Sequence, residues 1–303
     1  MSVTKHKILD SALTFFLDKG YLATSIQNIT DDCGVAKGSF YKFFHSKEDL
    51  FIEVHMQQQQ RMFDRIVNLR ADVSLSVMEI FIQETECQLE FFVDNNFIMQ
   101  EMNELATPNR KIEPCLFRLR ANILNYNREM LIKVFGDHIL PNIWDFVIIY
   151  NGIIRELVFL MIFENKSLIF RDMAVFVVHC MEDMVANRRG ITRPSLLKDS
   201  DMNEYVSYAL RGEQVPDCKR IFDLIEQLIS TIKELPITNS EKAELQEATV
   251  LIQEELESKH PRSVLLRSLI AFLDRENELK DILIPLEKIL TKQFPKENCN
   301  LAK

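Results

Sequence analysis

Apolar side chains recur every three to four positions along most of this chain, and this spacing restricts the fold more than any other feature. Near the start, Ile8, Ala12 and Phe16 fall on one face of a helix. Far along the chain, Ala174 and Val178 repeat the four-residue interval. Only 7 Gly and 9 Pro interrupt the 303 residues, which argues against a turn-rich β fold, and no segment is predicted as a strand. The sequence therefore predicts an all-α fold.

Strong helix-end signals divide the first 35 residues. Gly20 ends the first helix, and Tyr21 can pack back on that end. Thr24 or Ser25 then offers an N-cap for a short second helix. Gly34 terminates it after about two turns, because glycine adopts the left-handed backbone of a tight turn without strain.

The next segment predicts a third short helix over 36–44 and a long fourth helix. Ser46 and Asp49 form an S-x-x-D capping pattern, and the helix that it starts should reach about Arg70. Two short helices joined by a tight turn predict a helix-turn-helix at about 26–45. A plain helical hairpin has the same local pattern, so geometry alone leaves both interpretations open.

Charge is distributed unevenly along the chain. Lys and acidic residues balance within 1–50, so the remaining residues carry the whole net charge of −9. A nucleic-acid partner would therefore have to meet a local N-terminal patch held off from an acidic body. The six Cys lack any C-x-x-C pair in a long chain, which favours reduced thiols and a cytoplasmic location.

Several classes of site and segment are not predicted. The His and Cys residues show no metal-ligand spacing, and neither a metal site nor a cofactor is expected. No G-x-S-x-G, P-loop or G-x-G-x-x-G motif is present, so no enzymatic activity and no catalytic residue is predicted. The start lacks a signal-peptide core. Asp145, Asn151, Arg155 and Glu156 interrupt the apolar stretch 143–163, so no membrane span is expected.

The stretch "KILDSALTFFLDKGYLATSIQNITDDCGVAKGSFYKFFHSKEDLF" resembles the DNA-binding domain of the TetR (tetracycline repressor) family of bacterial transcription regulators. The resemblance covers about residues 4–55. Its elements agree in register, from the Ile-Ala-Phe face through Gly20-Tyr21 and Gly34-Val35 to Ser46-Lys47-Glu48-Asp49-Leu50. It implies that double-stranded operator DNA is a partner.

The resemblance assigns DNA contacts to eight positions. Residues at the exposed start of the third helix should approach base edges, and those one turn later or at the other helix starts should hold phosphate oxygens. These residues are Thr24, Ser25, Lys37, Gly38, Ser39, Tyr41, Lys42 and Lys47.

The resemblance also implies a helical body that forms a homodimer and binds a small-molecule effector. Helices 143–163 and 170–188 are the candidates for the dimer interface, because both carry apolar surface beyond one stripe. The alternative is that both are buried within the monomer.

The effector pocket is predicted from residues on the helices that would surround it. The candidates are Phe91, Phe117, Asn122, Tyr126 and Arg155. The aromatic and Met content favours an apolar effector, and the polar groups could orient it. The same aromatic residues can instead be ordinary core, and Arg155 can instead pair with Glu156.

Three domains are therefore expected: a helix-turn-helix domain over 1–63, a helical regulatory and dimerisation domain over 64–200, and an additional helical bundle of unknown role over 201–303. The predicted function is a homodimeric DNA-binding transcriptional regulator, a repressor released by an effector. The alternative is a helical adaptor that keeps the fold but acts through protein partners. Salt dependence separates the two, because phosphate neutralisation releases counterions.

Overall fold

The computed structural model describes residues 3–71, 74–95, 112–188, 194–258 and 261–293. Every regular element in these ranges is helical, which confirms the all-α prediction. The chain separates into two compact units, Met1–Gln214 and Val215–Lys303.

The first unit begins with three helices that enclose a small core. They are α1 (Val3–Ala23), α2 (Ile26–Cys33) and α3 (Lys37–Phe40). Gly20 interrupts α1 with φ 78°, as predicted, and the Tyr21 ring lies 5.7 Å from that of Phe16. Ile8, Ala12 and Phe16 are fully buried in this core. We call α1, α2 and α3 together the head. Burial of the i, i+4, i+8 face of α1 holds this helix against the rest of the head.

A long helix, α4 (Lys47–Arg70), leaves this head. The Ser46 hydroxyl accepts a hydrogen bond from the Asp49 N–H at 3.1 Å, which confirms the predicted start. Two helices pack along α4: α5 (Val77–Asp94) and α6 (Ile112–Phe135). The apolar spacing of the sequence predicts that this helix runs from Val77 to about Met102, and the part beyond Asn95 lies outside the described residues.

The body of the first unit is completed by α7 (Ile143–Phe163), α8 (Phe170–Arg188) and α9 (Asp199–Leu210). A short 3₁₀ turn, Asp137–Asn142, precedes α7 and contains Pro141. Trp144 and Tyr150 on α7 are the largest fully buried side chains of the chain's described part. They lie in a core built from α5 to α9.

Helix α9 packs on α6 and so belongs to the first unit. Trp144 Nε1 donates to Asp199 Oδ1 at 2.9 Å. The Asp145 carboxylate accepts from the N–H groups of Leu196 and Leu197 at 3.1 and 3.0 Å. The structure thus divides the chain at 214/215 and not at 200/201.

The second unit is a separate helical bundle with its own core. It contains α10 (Asp217–Glu234), α11 (Asn239–Glu257), α12 (Ser263–Leu273), a 3₁₀ turn (Asn277–Leu279) and α13 (Lys280–Gln293). Consecutive helices pack on one another and α13 returns to α10, which closes the bundle. The core is almost entirely Leu and Ile. Thr238 and Glu241 form a capping box at the start of α11, and α13 continues through Pro285.

One stretch of the described residues, Asp137–Phe163, is long and apolar enough to cross a membrane by length and composition, a test that core helices of soluble proteins also pass. Here α7 has two distinct sides. Trp144, Tyr150 and Ile154 are buried, whereas Ile148 and Phe159 are exposed.

Candidate nucleic-acid interface

The turn between α2 and α3 is built by local hydrogen bonds. Ser25 is the N-cap of α2: its hydroxyl accepts from the Asn28 N–H at 3.1 Å, and its own N–H donates to Asn28 Oδ1 at 3.0 Å. Gly34 ends α2 with φ 66°, and Val35 N–H donates to the Thr30 carbonyl at 3.0 Å. The predicted helix-turn-helix is confirmed.

Helix α3 is shorter than the predicted 36–44. Regular helix covers Lys37–Phe40, with Ala36 as the extended N-cap residue. The chain keeps turning beyond it, because the N–H groups of Phe43 and Phe44 both donate to the Phe40 carbonyl, at 2.9 and 3.0 Å. Phe40 and Phe44 are buried with their rings 5.6 Å apart. Aromatic packing thus holds the segment after Phe40 in place, although it is not regular helix.

The opposite side of this segment is open. Lys37, Gly38 and Lys42 are exposed, and Ser39 is half-buried. Tyr41 is 46% exposed and meets Phe40 edge-on, with ring centroids 5.3 Å apart. Two ammonium groups, a phenol and a bare backbone therefore face outward from a rigid scaffold, an arrangement suited to phosphates and base edges.

Gly38 leaves its backbone accessible. A Cβ built at this position would meet no atom within 4 Å. Neither the space around position 38 nor its backbone φ therefore requires glycine in the isolated protein. A partner that approaches the backbone closely would supply the missing reason.

Two of the predicted contact residues have internal roles. Thr24 is only 1% exposed, and its hydroxyl lies 2.7 Å from the Gly20 carbonyl and 3.1 Å from the Phe15 carbonyl. Lys47 Nζ donates to the Tyr21 and Thr24 carbonyls, each at 2.8 Å. Both side chains therefore stabilise the end of α1. Ser25, in contrast, is exposed beside α2.

Two of the five predicted pocket residues bond to neighbouring helices of the body. Asn122 Nδ2 donates to Gln59 Oε1 at 2.9 Å, and Gln59 Nε2 donates to the Leu119 carbonyl at 2.9 Å. Tyr126 donates to Glu84 Oε2 at 2.6 Å. Asn122 and Tyr126 thus tie α6 to α4 and α5.

The remaining three pocket candidates do not come together. Phe91 packs in a small cluster between α4, α5 and α6, whereas Phe117 packs against the main body core. Arg155 is exposed on α7. Its side chain therefore does not line a buried pocket, because the polar position in that apolar helix lies on the outward face.

An ion pair between Arg70 and a buried carboxylate, which the sequence did not predict, anchors the far end of α4. Arg70 Nε donates to Glu84 Oε1 at 2.5 Å, and Arg70 Nη2 donates to Glu84 Oε2 at 3.1 Å. The Glu84 side chain is 1% exposed. Burial, followed by the Glu84 charge, raises the pKa of the Tyr126 hydroxyl, which keeps it a hydrogen-bond donor. The inward orientation of Glu84 could have been predicted from the sequence, since Glu84 shares a helical face with Phe81 and Gln88.

Beside this pair lies a cleft of about 20 Å³, room for roughly one water molecule. Its walls are mostly apolar, from Val77, Ile80, Phe81, Met130 and Val134. In the described ranges, no three His, Cys, Asp or Glu side chains are grouped to hold a metal ion.

Comparison with known proteins decides the nature of the head. Residues 8–54 match the family model for "Bacterial regulatory proteins, tetR family". The chain carries the DNA-binding domain of the TetR family. The TetR resemblance seen in the sequence is thereby confirmed.

Relatives that match over nearly the full length carry the name of HTH-type transcriptional regulators. The HTH-type regulators YuxN and YerO of Bacillus subtilis are 23% and 24% identical to this chain. The YuxN match covers 94% of this chain and 97% of YuxN, and the YerO match covers 92% of each. The C-terminal unit therefore falls largely within the matched length. This TetR-family chain is a DNA-binding regulator of transcription.

A solved structure supports the fold. The fatty acid degradation regulator FadR from Bacillus halodurans aligns with a TM-score of 0.51 at 17% identity. The alignment covers 60% of this chain and 95% of FadR. Part of the present chain thus shares the α-helical fold of nearly the whole of that protein.

Proposed function

We propose that this TetR-family protein is a homodimeric repressor that binds operator DNA through its two heads and is released by a small-molecule effector. The observation that carries the proposal is the exposed surface of Lys37, Gly38, Tyr41 and Lys42 on a buried scaffold. Ser25 and Ser39 complete the proposed contact surface. Because bacterial operators lie in the cytoplasm, we place its action there.

An outward face of α7 supports the homodimer. Ile148, Gly152, Arg155, Phe159 and Phe163 follow one another at intervals of three or four residues, so they share one helical face. The apolar members of this row are all exposed in the single chain. Phe176 adds a 55% exposed ring on α8. A second copy of the chain would cover these side chains, and a two-fold axis would pair α7 and α8 with their counterparts.

The middle of this face has room for a neighbouring helix. A Cβ at Gly152 would meet no atom within 4 Å. Glycine within a helix interior lowers helix stability by roughly 0.5–1 kcal/mol relative to Ala, so its presence needs a compensating gain. Close approach of the partner's backbone supplies one.

The connection between head and body supports effector control. Helix α4 begins in the head core and ends at the Arg70–Glu84 pair in the body. Gln59 and Asn122 join it to α6 midway. A ligand that moves α5 or α6 therefore moves α4, and with it the head. Release of DNA requires that the ligand bind the displaced arrangement more tightly.

Titration of salt during DNA binding tests this proposal. The dimer should bind a promoter fragment with an affinity that falls steeply as salt rises, and Lys37→Ala should make the salt dependence shallower. Tyr41→Ala should weaken binding by about 1–3 kcal/mol while leaving the melting temperature unchanged. Lys133→Ala removes an exposed body charge and serves as the matched control. Binding that is independent of salt, or absent altogether, would favour the adaptor function instead.

A further inference from the structure

Two amide oxygens are buried without a partner in the core of the body. Gln88 on α5 and Asn127 on α6 are both 0% exposed. Among the described residues, neither Gln88 Oε1 nor Asn127 Oδ1 has a hydrogen-bond partner. Native proteins rarely leave buried acceptors unpaired, because the loss of hydration is then uncompensated.

The orientation of the Gln88 amide follows from a chain of hydrogen bonds. The Phe81 carbonyl can only accept, so the Thr85 hydroxyl donates to it at 2.8 Å. Thr85 must then accept from the Tyr150 hydroxyl at 2.9 Å. Tyr150 in turn accepts from Gln88 Nε2 at 3.2 Å. The relay runs in one direction, and its free end is therefore an acceptor, Gln88 Oε1.

The Asn127 amide is oriented by an independent relay of the same kind. Asn151 Nδ2 donates to the Val147 carbonyl at 2.7 Å, which leaves Asn151 Oδ1 as an acceptor. Asn127 Nδ2 donates to that oxygen at 3.2 Å. The free end is again an amide oxygen. The two relays pass through adjacent residues of α7, Tyr150 and Asn151.

From these two relays we infer that the body holds a ligand site whose polar recognition is by acceptors alone. Gln88 Oε1 and Asn127 Oδ1 would receive hydrogen bonds from hydroxyl or N–H groups. The surrounding core is apolar, from side chains such as Leu89, Leu124 and Ile154. The ligand class is therefore a neutral apolar molecule that carries hydrogen-bond donors.

Anionic groups are disfavoured at the same place. Both free atoms are amide oxygens that carry partial negative charge and can only accept hydrogen bonds. Carboxylates and phosphates lack the donors that these oxygens require. This site would be the effector site of the proposed function, on which the inference rests. Because the oxygens are enclosed, binding requires the core to open, which couples occupancy to the positions of α5 and α6.

Matched probes test the donor requirement. Calorimetry would compare 1-naphthol with 1-methoxynaphthalene and 1-decanol with decyl methyl ether. Each pair keeps the apolar body and the oxygen but differs in the O–H donor. We expect at least one alcohol to bind the wild-type protein at least about tenfold more tightly than its ether. We expect 1-naphthoate to bind more weakly than 1-naphthol. Equal affinities within both pairs, or no binding of either alcohol, would overturn the inference.

Apolar substitutions test which side chain causes the preference for the alcohol over the ether. Gln88→Met keeps the side-chain length and removes the acceptor, and Gln83→Met is the control on the same helix. Gln88→Met should bind the alcohol and the ether equally, whereas Gln83→Met should retain the tenfold preference. Asn127→Leu provides the second test if Gln88→Met does not fold. An undiminished preference in both variants places the donor site elsewhere and rejects the inference. If the variants are destabilised and the wild type shows no preference for the alcohol, the two oxygens bind ordered water only and the inference is rejected.

Promoter binding, measured on the same wild-type sample, separates this site from the proposed function. A protein that prefers the alcohol but binds no promoter fragment would retain the ligand site and lose the repressor role. A protein that binds the fragment but shows no preference would retain DNA binding and lose this site.

Discussion

Gly38 and Gly34 lie four residues apart, yet a methyl group should have opposite effects at the two positions. Gly38→Ala meets open space, so the isolated protein should keep or slightly raise its stability, by up to about 1 kcal/mol. If DNA approaches this backbone, the same change should weaken promoter binding about tenfold or more. Thermal melting and a fluorescence binding titration give the two readouts.

Gly34→Ala is the matched control, because its φ of 66° disfavours any side chain. It should lower the melting temperature. Promoter affinity equal to that of the wild type in Gly38→Ala would refute a close backbone approach.

The buried imidazole of His55 should make stability depend on pH. Burial lowers its folded pKa to about 3, from an ordinary value of 6.5. Because the unfolded chain binds the proton first, this contribution is fully present above pH 6.5 and is lost as the pH falls toward 3. The slope contributed by the single proton approaches about 1.4 kcal/mol per pH unit.

Urea unfolding of wild type, His55→Gln and His45→Gln between pH 6 and pH 4 checks this expectation. His55→Gln should show the shallower dependence of unfolding free energy on pH. His45 is exposed, and its replacement should leave the slope of the wild type. The same slope in all three proteins would contradict a neutral buried His55.

At the scale of the helix, α4 is held to α5 by two Arg–Glu pairs of very different burial. Arg70→Ala would leave the enclosed Glu84 carboxylate without its cation and should destabilise the protein by about 3–5 kcal/mol. Arg65 pairs with Glu90, but its side chain is 57% exposed, so Arg65→Ala should cost only about 0–1 kcal/mol. Chemical denaturation measures both.

A combined Arg70→Met and Glu84→Leu variant should recover most of the lost stability, since the uncompensated charge is then gone. Equal effects of the two single alanine variants would indicate that burial does not govern these pairs.

The sequence predicted element types well and their partners poorly. Ser46, Gly20 and Gly34 act through local backbone geometry, so their roles as cap and helix ends were predictable. The ends of α3 and the unit to which α9 belongs depend on tertiary packing of Phe44 and Trp144, which no local pattern encodes. The orientation of Arg155 depended on which side of a predominantly apolar helix faces inward, and apolar residues occur on every side of it.

The candidate DNA contacts remain predictions; the structure shows that Lys37 and Gly38 at the start of α3 are exposed, as the TetR register implied. The internal hydrogen bonds of Thr24 and Lys47 were not predictable, because a hydroxyl or an ammonium at a helix start can donate to a backbone carbonyl as readily as to a phosphate. The partners of such groups are set by burial, and burial at a junction of three helices is not a property of any one segment.

For the whole molecule, the exposed row on α7 should determine the oligomeric state. Phe159 is 40% exposed, and Phe159→Glu should convert the proposed dimer to a monomer at micromolar concentration without unfolding it. Phe222 is 47% exposed on α10 of the second unit, and Phe222→Glu should leave the dimer intact. Sedimentation equilibrium distinguishes the two. A dimer that tolerates both changes would exclude α7 from the interface.

The two compact units predict where the chain can be shortened. A fragment ending at Gln214 keeps α9 and the Trp144–Asp199 hydrogen bond, so it should fold cooperatively and bind DNA. A fragment ending at Pro194 loses α9 and uncovers the core beneath Val206, so it should melt lower or aggregate. Circular dichroism melts of the two fragments decide this. Equal stability would mean that α9 is dispensable to the first unit.

Separate cores also set an order of events during synthesis. The first unit is complete in sequence at Gln214, when the second unit, about 90 residues long, has still to be synthesised. At roughly 5–20 residues per second, that leaves about 4–18 s for the earlier unit to fold beside the ribosome. The buried clusters formed by its described residues contain no side chain from the later helices. The DNA-binding head of a nascent chain can therefore fold, and associate with a first partner, before the second unit has been synthesised.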